Sequence, residues 1–326
     1  MFYKTVLETE VKQGVLNSPA LEQSLGPRIS ELIPMFLKHG EFELSFSPQT
    51  VFKYGECLSF IIRDLGDLPV TKVSLAHITE LKQKILTRGA GEARVSSMVF
   101  ALKSFLRFCK DNLELEVLPY QKIKSPKRRR REVVYLTNEE IDQFVKSIQY
   151  KNVWVRNQKA NPYRLDGLRF RTLVEVLLGT GMRISEALSL NRESINFEKK
   201  EAKIIGKGSK ERTVFFNDRC LEWVKLYLSQ RKDSCPQMFI TQRGGVLSKG
   251  DVNKLFQRNS KKAGISKHIT PHILRHTMAT NLLFNGCPIS HVKEILGHDR
   301  LETTCRYYLG LDKAKAKEAH SKFLNY

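Results

Sequence analysis

The chain has 326 residues, about twice a typical domain, so two domains are expected. Its 41% hydrophobic and 27% charged residues exclude a wholly disordered, collagenous or coiled-coil chain. The 55 Lys and Arg against 34 Asp and Glu leave a formal charge of +21, which points to a polyanionic partner, nucleic acid first.

No run approaches the roughly 18 apolar residues of a membrane helix. Glu8 and Glu10 stand where a signal peptide is apolar, so the reading is a soluble cytoplasmic protein. The cysteines (57, 109, 220, 235, 287 and 305) form no CxxC pair. They read as small hydrophobes rather than as a zinc site or a disulfide framework.

Residues 1–26 carry no strong pattern and read as an N-terminal extension. From Pro27 onward, Ile29, Leu32, Ile33, Phe36 and Leu37 recur at helical spacing, with Pro34 as a point where the helix kinks or splits. Ser47-Pro48 opens a second helix that ends at Leu65 before Gly66, with Val51, Tyr54, Leu58, Ile61 and Ile62 on one face. A third helix is expected from about Leu75 to Arg88. A fourth is expected from about Glu92 to Asp111, with Val99, Leu102, Phe105, Leu106 and Cys109 inward and Lys103, Arg107 and Lys110 on the opposite side. Residues 27–115 therefore read as a small helical domain.

Residues 1–120 hold 14 basic and 14 acidic side chains, so the whole excess of charge lies in 121–326. Seven of the ten residues 122–131 are basic: Lys122, Lys124, Lys127, Arg128, Arg129, Arg130 and Arg131. Pro126 and like-charge repulsion oppose a packed helix there. Residues 116–135 read as an interdomain linker, either lying along a phosphate backbone or only solvated.

A second domain follows over 136–311. Thr137 and Glu140 form a capping box, opening a helix to about Ile148. Residues 150–166 are polar and read as a loop. A strongly apolar helix from about Gly167 to Leu178 breaks at Gly179-Thr180-Gly181, and a short helix resumes over Ile184–Leu190. Residues 202–205 and 212–216 alternate around a Gly206-Lys207-Gly208-Ser209 turn, a hairpin signature. Helices are expected at about 218–231, 249–262, 271–285, 288–295 and 301–308, and 312–326 forms a tail. The fold class is mainly α with a small antiparallel β-hairpin or sheet.

Four stretches carry candidate chemistry. Arg183 follows the glycine turn near a helix start, where a surface arginine is the plain alternative. Lys207 sits at a hairpin tip, either solvated or able to reach a substrate. Thr270-Pro271 marks a helix start whose first turn carries His272 and Arg275 on one face. Free N–H groups and the helix dipole favour an anion there; incidental basic residues beside a cap are the other reading. Leu296-Gly297-His298 precedes Thr303-Thr304-Cys305-Arg306-Tyr307-Tyr308, where a structural histidine and a core tyrosine are the plain readings.

Together these residues form an ordered series: Arg183, Lys207 after 24 residues, His272 and Arg275 as HxxR, His298 after 23 more, and Tyr307 nine further. With TGMRISEAL at 180–188, IGKGSKERTV at 205–214, TPHILRHTMAT at 270–280 and LGHDRLETTCRYY at 296–308, the chain resembles the tyrosine recombinase (phage integrase) family. The resemblance implies a two-domain C-shaped DNA clamp, with a helical core-binding (SAM-like) domain and a catalytic domain. It implies that Arg183 and Arg275 clamp the scissile phosphate and that Tyr307 is the nucleophile. It further implies that His272 accepts a proton, Lys207 protonates the leaving oxygen, His298 hydrogen-bonds the phosphate, and Glu186 orients its neighbours. His276 also matches the motif, in a structural role.

The implied chemistry needs no metal, ATP or other cofactor. The implied partners are double-stranded DNA with inverted half-sites, a homotetramer on two DNA sites held in part by 312–326, and an accessory protein or second recombinase; no membrane is involved, and the location is cytoplasmic, on the nucleoid. The short N-terminal extension favours a simple two-domain enzyme of the Xer or mobile-element type. The alternatives are a telomere resolvase or type IB topoisomerase-like enzyme, and a DNA-binding protein without chemistry. Against the last, every expected catalytic position is filled.

Overall fold

The computed structural model describes residues 26–126, 134–151, 164–206, 211–241, 244–298 and 320–321. The chain divides into two compact units, Met1–Arg130 and Arg131–Tyr326. Nearly all of the N-terminal extension and most of the 150–166 loop lie outside the described residues, as do the last expected helix and nearly all of the tail.

The first unit is helical: α1 (Ile29–Phe42), α2 (Pro48–Leu65), α3 (Leu75–Thr87) and α4 (Glu92–Leu113). Helix α1 runs through Pro34 without splitting. Helix α2 starts where its sequence says it should, with the Ser47 hydroxyl accepting from the Thr50 N–H (3.3 Å) and Pro48 at the first helical position. Helix α4 supplies the centre of the core, burying Val99, Leu102, Phe105, Leu106 and Cys109. Phe36 meets Tyr54 and Phe105 edge-on, at 5.4 and 5.7 Å between ring centroids. Ile123, in the stretch read as linker, is buried in this same core, because its apolar side chain gains more from that contact than from water. Lys122 and Lys124 on either side of it are exposed.

The second unit contains α5 (Asn138–Lys146), α6 (Leu165–Thr180), α7 (Ile184–Ser189), β1 (Ile195–Asn196), β2 (Glu201–Ile205), β3 (Glu211–Phe215), α8 (Asp218–Ser229), α9 (Lys249–Ala263), α10 (Pro271–Phe284) and α11 (Ile289–Leu296). The three strands form an antiparallel sheet in the order β1-β2-β3. The expected hairpin is β2-β3, with Ile204 opposite Arg212 and Ala202 opposite Val214. Among the described residues the fold is mostly helical with this one small sheet. No helix among the described residues is long and apolar enough to cross a membrane.

Helix α6 is the axis of the second unit and is buried along most of its length. Its Phe170 packs with Phe144 of α5 and Phe256 of α9, at 5.2 to 6.4 Å between centroids. The helix is less apolar than its sequence suggests, because it also buries Arg169, Arg171 and Glu175. Each has a partner, as buried charges require. Glu175 accepts from Arg171 (3.0 and 2.8 Å) and from Arg219 (3.0 and 3.0 Å). Arg171 donates to the Val145 carbonyl and lies 4.3 Å from the Trp223 ring, and Arg169 donates to the Ile240 carbonyl. Gly167 lets α6 pass the end of α5, since a Cβ there would stand 2.0 Å from the Gln149 carbonyl oxygen. This anchored helix fixes where its C-terminus, and the turn after it, must lie.

Candidate active site

Helix α6 ends because Thr180 closes its last turn. The Thr180 hydroxyl donates to the Val176 carbonyl (2.6 Å) and accepts from the Met182 N–H (3.2 Å). Gly181 follows at φ +62°, the left-handed cap conformation, and a Cβ on it would lie 3.1 Å from the Leu296 and Met278 side chains. The turn delivers Arg183 to the N-cap of α7. The Arg183 N–H donates to Glu186 Oε2 (2.7 Å), and its Nη1 donates to Glu186 Oε1 (2.9 Å).

Helix α10 begins at Thr270-Pro271, with the Thr270 hydroxyl accepting from the Ile273 N–H (3.3 Å). This fixed first turn carries His272 and Arg275. Arg275 is only 2% exposed. Its Nη1 donates to the Gly181 carbonyl and its Nη2 to the Leu296 carbonyl.

Helix α11 gathers the arginines. Its last carbonyls and that of its cap, Ile295, Leu296 and Gly297, each receive one guanidinium. Arg212 Nη1 donates to Ile295 (2.6 Å), Arg275 Nη2 to Leu296 and Arg183 Nη2 to Gly297 (3.1 Å). Carbonyls at a helix C-terminus lack helical donors and carry the negative end of the dipole, so cations are stabilised there. Glu186, 3% exposed, is the carboxylate of the cluster, and its Oε2 also accepts from Arg212 Nη2 (2.9 Å). Burial disfavours its charge, but the hydrogen bonds from Arg212 and Arg183 outweigh burial and hold its pKa below the ordinary value. Among the described residues the cluster sets three guanidiniums, two of them on Glu186, against this one carboxylate, which leaves it cationic.

Three histidines stand beside the arginines. The His272 and His276 rings are 4.2 Å apart, centroid to centroid, at 68°. His298 follows Gly297, the φ +61° cap of α11. Burial lowers the pKa of all three, and neighbouring cations lower it further. Arg275 and Arg183 act on His272, and His276 falls to about 3 beside His272 and Arg275. His298 falls to about 4 beside Arg275, Arg183 and Arg212. All three are neutral at pH 7, so each ring offers one N–H donor and one acceptor nitrogen. His272 is the most exposed of them. Arginines held in place before any ligand arrives suit a tetrahedral oxyanion, and a neutral exposed imidazole suits proton transfer.

Of the residues singled out in the sequence, Arg183, Glu186, His272, Arg275 and His298 come together here. Lys207 and Tyr307 lie outside the described residues, as do Lys127 and Arg128 to Arg131. Lys122 and Lys124 belong to the first unit. Arg212 joins the cluster without having been singled out. Its signal was an arginine on the inward face of a strand, two residues before the buried Val214 and opposite the buried Ile204.

Residues 134–315 match the model of the phage integrase family. The chain is 32% identical over 291 residues to the tyrosine recombinase XerC of Proteus mirabilis, covering 87% of this chain and 90% of that protein. It is 28% identical over 301 residues to the tyrosine recombinase XerD of Staphylococcus saprophyticus, covering 90% and 98% respectively. Among solved structures, the Tn1549 transposon integrase in complex with transposon right end DNA shares the fold, with a TM-score of 0.72 at 20% identity over 91% of this chain and 99% of that one. With its arginine, histidine and glutamate positions drawn into one cationic cluster and these relatives along most of its length, the chain belongs to the phage integrase family of tyrosine recombinases.

Proposed function

We propose that this chain, a tyrosine-type site-specific DNA recombinase, cuts and rejoins DNA through a covalent 3′-phosphotyrosyl intermediate on Tyr307 and exchanges strands through a Holliday junction. The Tyr307 oxygen attacks the scissile phosphorus, a P–O bond to tyrosine forms, and the bond to the 5′ oxygen breaks. His272 takes the phenolic proton and Lys207 gives a proton to the leaving 5′ oxygen. A 5′-hydroxyl from a second strand then reverses the step. Each step exchanges one phosphodiester for another, so no external energy source is needed.

The observation that carries this reading is the fixing of Arg183 and Arg275 on adjacent carbonyls beside neutral histidines. A phenol of pKa about 10 is only about one part in a thousand ionised at pH 7, so it needs both a base and a cationic pocket. Two prepositioned guanidiniums meet the charge that grows on the equatorial oxygens in the transition state. His298 hydrogen-bonds one of those oxygens, and Glu186 orients the arginines.

In this reading residues 27–115 are the core-binding domain and 136–311 the catalytic domain, with Lys122 to Arg131 along the DNA backbone. The working unit is a homotetramer on two DNA sites with inverted half-sites, with 312–326 reaching a neighbouring protomer and a second recombinase or accessory protein where the site demands one. The enzyme acts in the cytoplasm, on the nucleoid. The test is covalent capture: wild type and Tyr307→Phe are each mixed with sheared DNA of the source organism, denatured in SDS, and the protein-linked DNA is sequenced. Recurrent fragments with wild type alone support the reading; equal recovery from both proteins removes Tyr307 as the nucleophile.

A further inference from the structure

We infer that Arg212 is a positioning residue of this active site, the counter-ion of Glu186 that leaves the charge of Arg183 to the scissile phosphate. The inference rests on the recombinase reading above. Arg183 and Arg212 both touch Glu186, but unequally in setting. The Arg183 side chain is 35% exposed and that of Arg212 is 14% exposed. Arg212 is held at both ends of its guanidinium, by Ile295 O through Nη1 and by Glu186 Oε2 through Nη2. It therefore ties β3 to the N-terminus of α7 and to the row of carbonyls that ends at Gly297.

Gly297 makes room for it. A Cβ on Gly297 would stand 2.6 Å from Arg212 Cδ and 2.9 Å from Nε, so the arginine lies directly across the glycine. Without Arg212, a buried carboxylate would have Arg183 as its remaining cation in this set. A guanidinium neutralised by a neighbouring carboxylate attracts phosphate less, because the two charges present a dipole rather than a net charge. With Arg212 in place, Glu186 orients Arg183 without cancelling it. No reacting atom touches Arg212 in this account; it works through Glu186 and Arg183.

The test uses the full chain and a nicked duplex built on a site recovered by covalent capture. Wild type, R212M, R212K and the double variant E186Q/R212M are compared. The measurements are the single-turnover rate of covalent complex formation at saturating DNA, the duplex Kd, and the melting temperature, with rates taken well below the lowest Tm. R212M is expected to slow covalent complex formation about 10–100-fold, by analogy with the loss of a hydrogen-bond partner that orients a metal ligand, with little change in Kd. R212K, which keeps the charge, recovers most of the rate. The double variant, which removes both charges, is faster than R212M alone.

A packing role predicts the opposite of that last result, since removing a second native contact would add to the damage. A double variant no faster than R212M, or R212M at the wild-type rate, overturns the assignment. Wild type that forms no covalent complex overturns the recombinase reading itself, and the assignment with it.

Discussion

Gly297→Ala should destabilise the second unit several times more than Gly264→Ala, although both glycines cap a helix in the left-handed conformation, at φ +61° and +67°. Around Gly264 nothing lies within 4 Å of an added Cβ, so alanine there costs only the left-handed backbone, about 1 kcal/mol. At Gly297 the same backbone term applies, and the new methyl also meets Arg212 at 2.6 Å. The end of an arginine usually swings aside cheaply. Here it is pinned to Ile295 O and to Glu186, so it must either strain or release those bonds. Overpacking of this kind costs about 1–3 kcal/mol, and loss of a charge-assisted hydrogen bond a similar amount. The total for Gly297→Ala is therefore roughly 2–4 kcal/mol. Both tryptophans, Trp154 and Trp223, belong to the second unit, so urea unfolding followed by tryptophan fluorescence reports on it selectively. Equal losses in the two variants would refute the claim that Arg212 is fixed across Gly297.

Other expectations follow from the same geometry. Arg275→Met should lower stability by roughly 2–4 kcal/mol, because the buried Gly181 and Leu296 carbonyls lose their donor. It should also abolish covalent complex formation; a variant as stable as wild type would contradict the donor role. Stability should fall as pH drops below about 6.5, because the unfolded chain then binds a proton that folded His298, with its pKa near 4, refuses. At pH 5 that one residue accounts for about 2 kcal/mol relative to pH 8. The loss should shrink by that amount in His298→Gln, measured by urea unfolding at both pH values; an unchanged loss would place the pH dependence elsewhere. Lys122→Ala and Lys124→Ala should each reduce the slope of log Kd against log salt by about 1 if each meets one phosphate. An unchanged slope would make this stretch a solvated connector.

Local signals made much of the fold legible. Ser47-Pro48, Thr137 with Glu140 and Thr270-Pro271 each fix a helix start through contacts within four residues, and the structure has a helix at each. The β2-β3 hairpin was legible from the alternation of residues 202–205 and 212–216 on either side of a glycine-containing stretch, its pairs joining neighbouring segments of the chain. Longer-range features were not. Helix α6 reads as apolar, yet it buries Arg171 and Glu175, whose pairing with Arg219 spans 44 residues. Ile123 reads as linker because its neighbours are basic, but its side chain completes the first core. In the site, the ordered spacing named Arg183, His272, Arg275 and His298. The spacing said nothing of Arg212, whose partner Glu186 is 26 residues away, or of the α11 carbonyls that collect all three arginines. A side chain's motif position shows in the sequence; the backbone acceptor that holds it does not.

The most direct test of the account is to identify the atom that carries the DNA. Covalent complexes formed by wild type are trimmed with nuclease, digested with protease and sequenced by mass spectrometry. The account predicts a nucleotide joined through its 3′ phosphate to the Tyr307 oxygen. An adduct on Tyr308 or any other residue, or one carrying a 5′ phosphate, would contradict it.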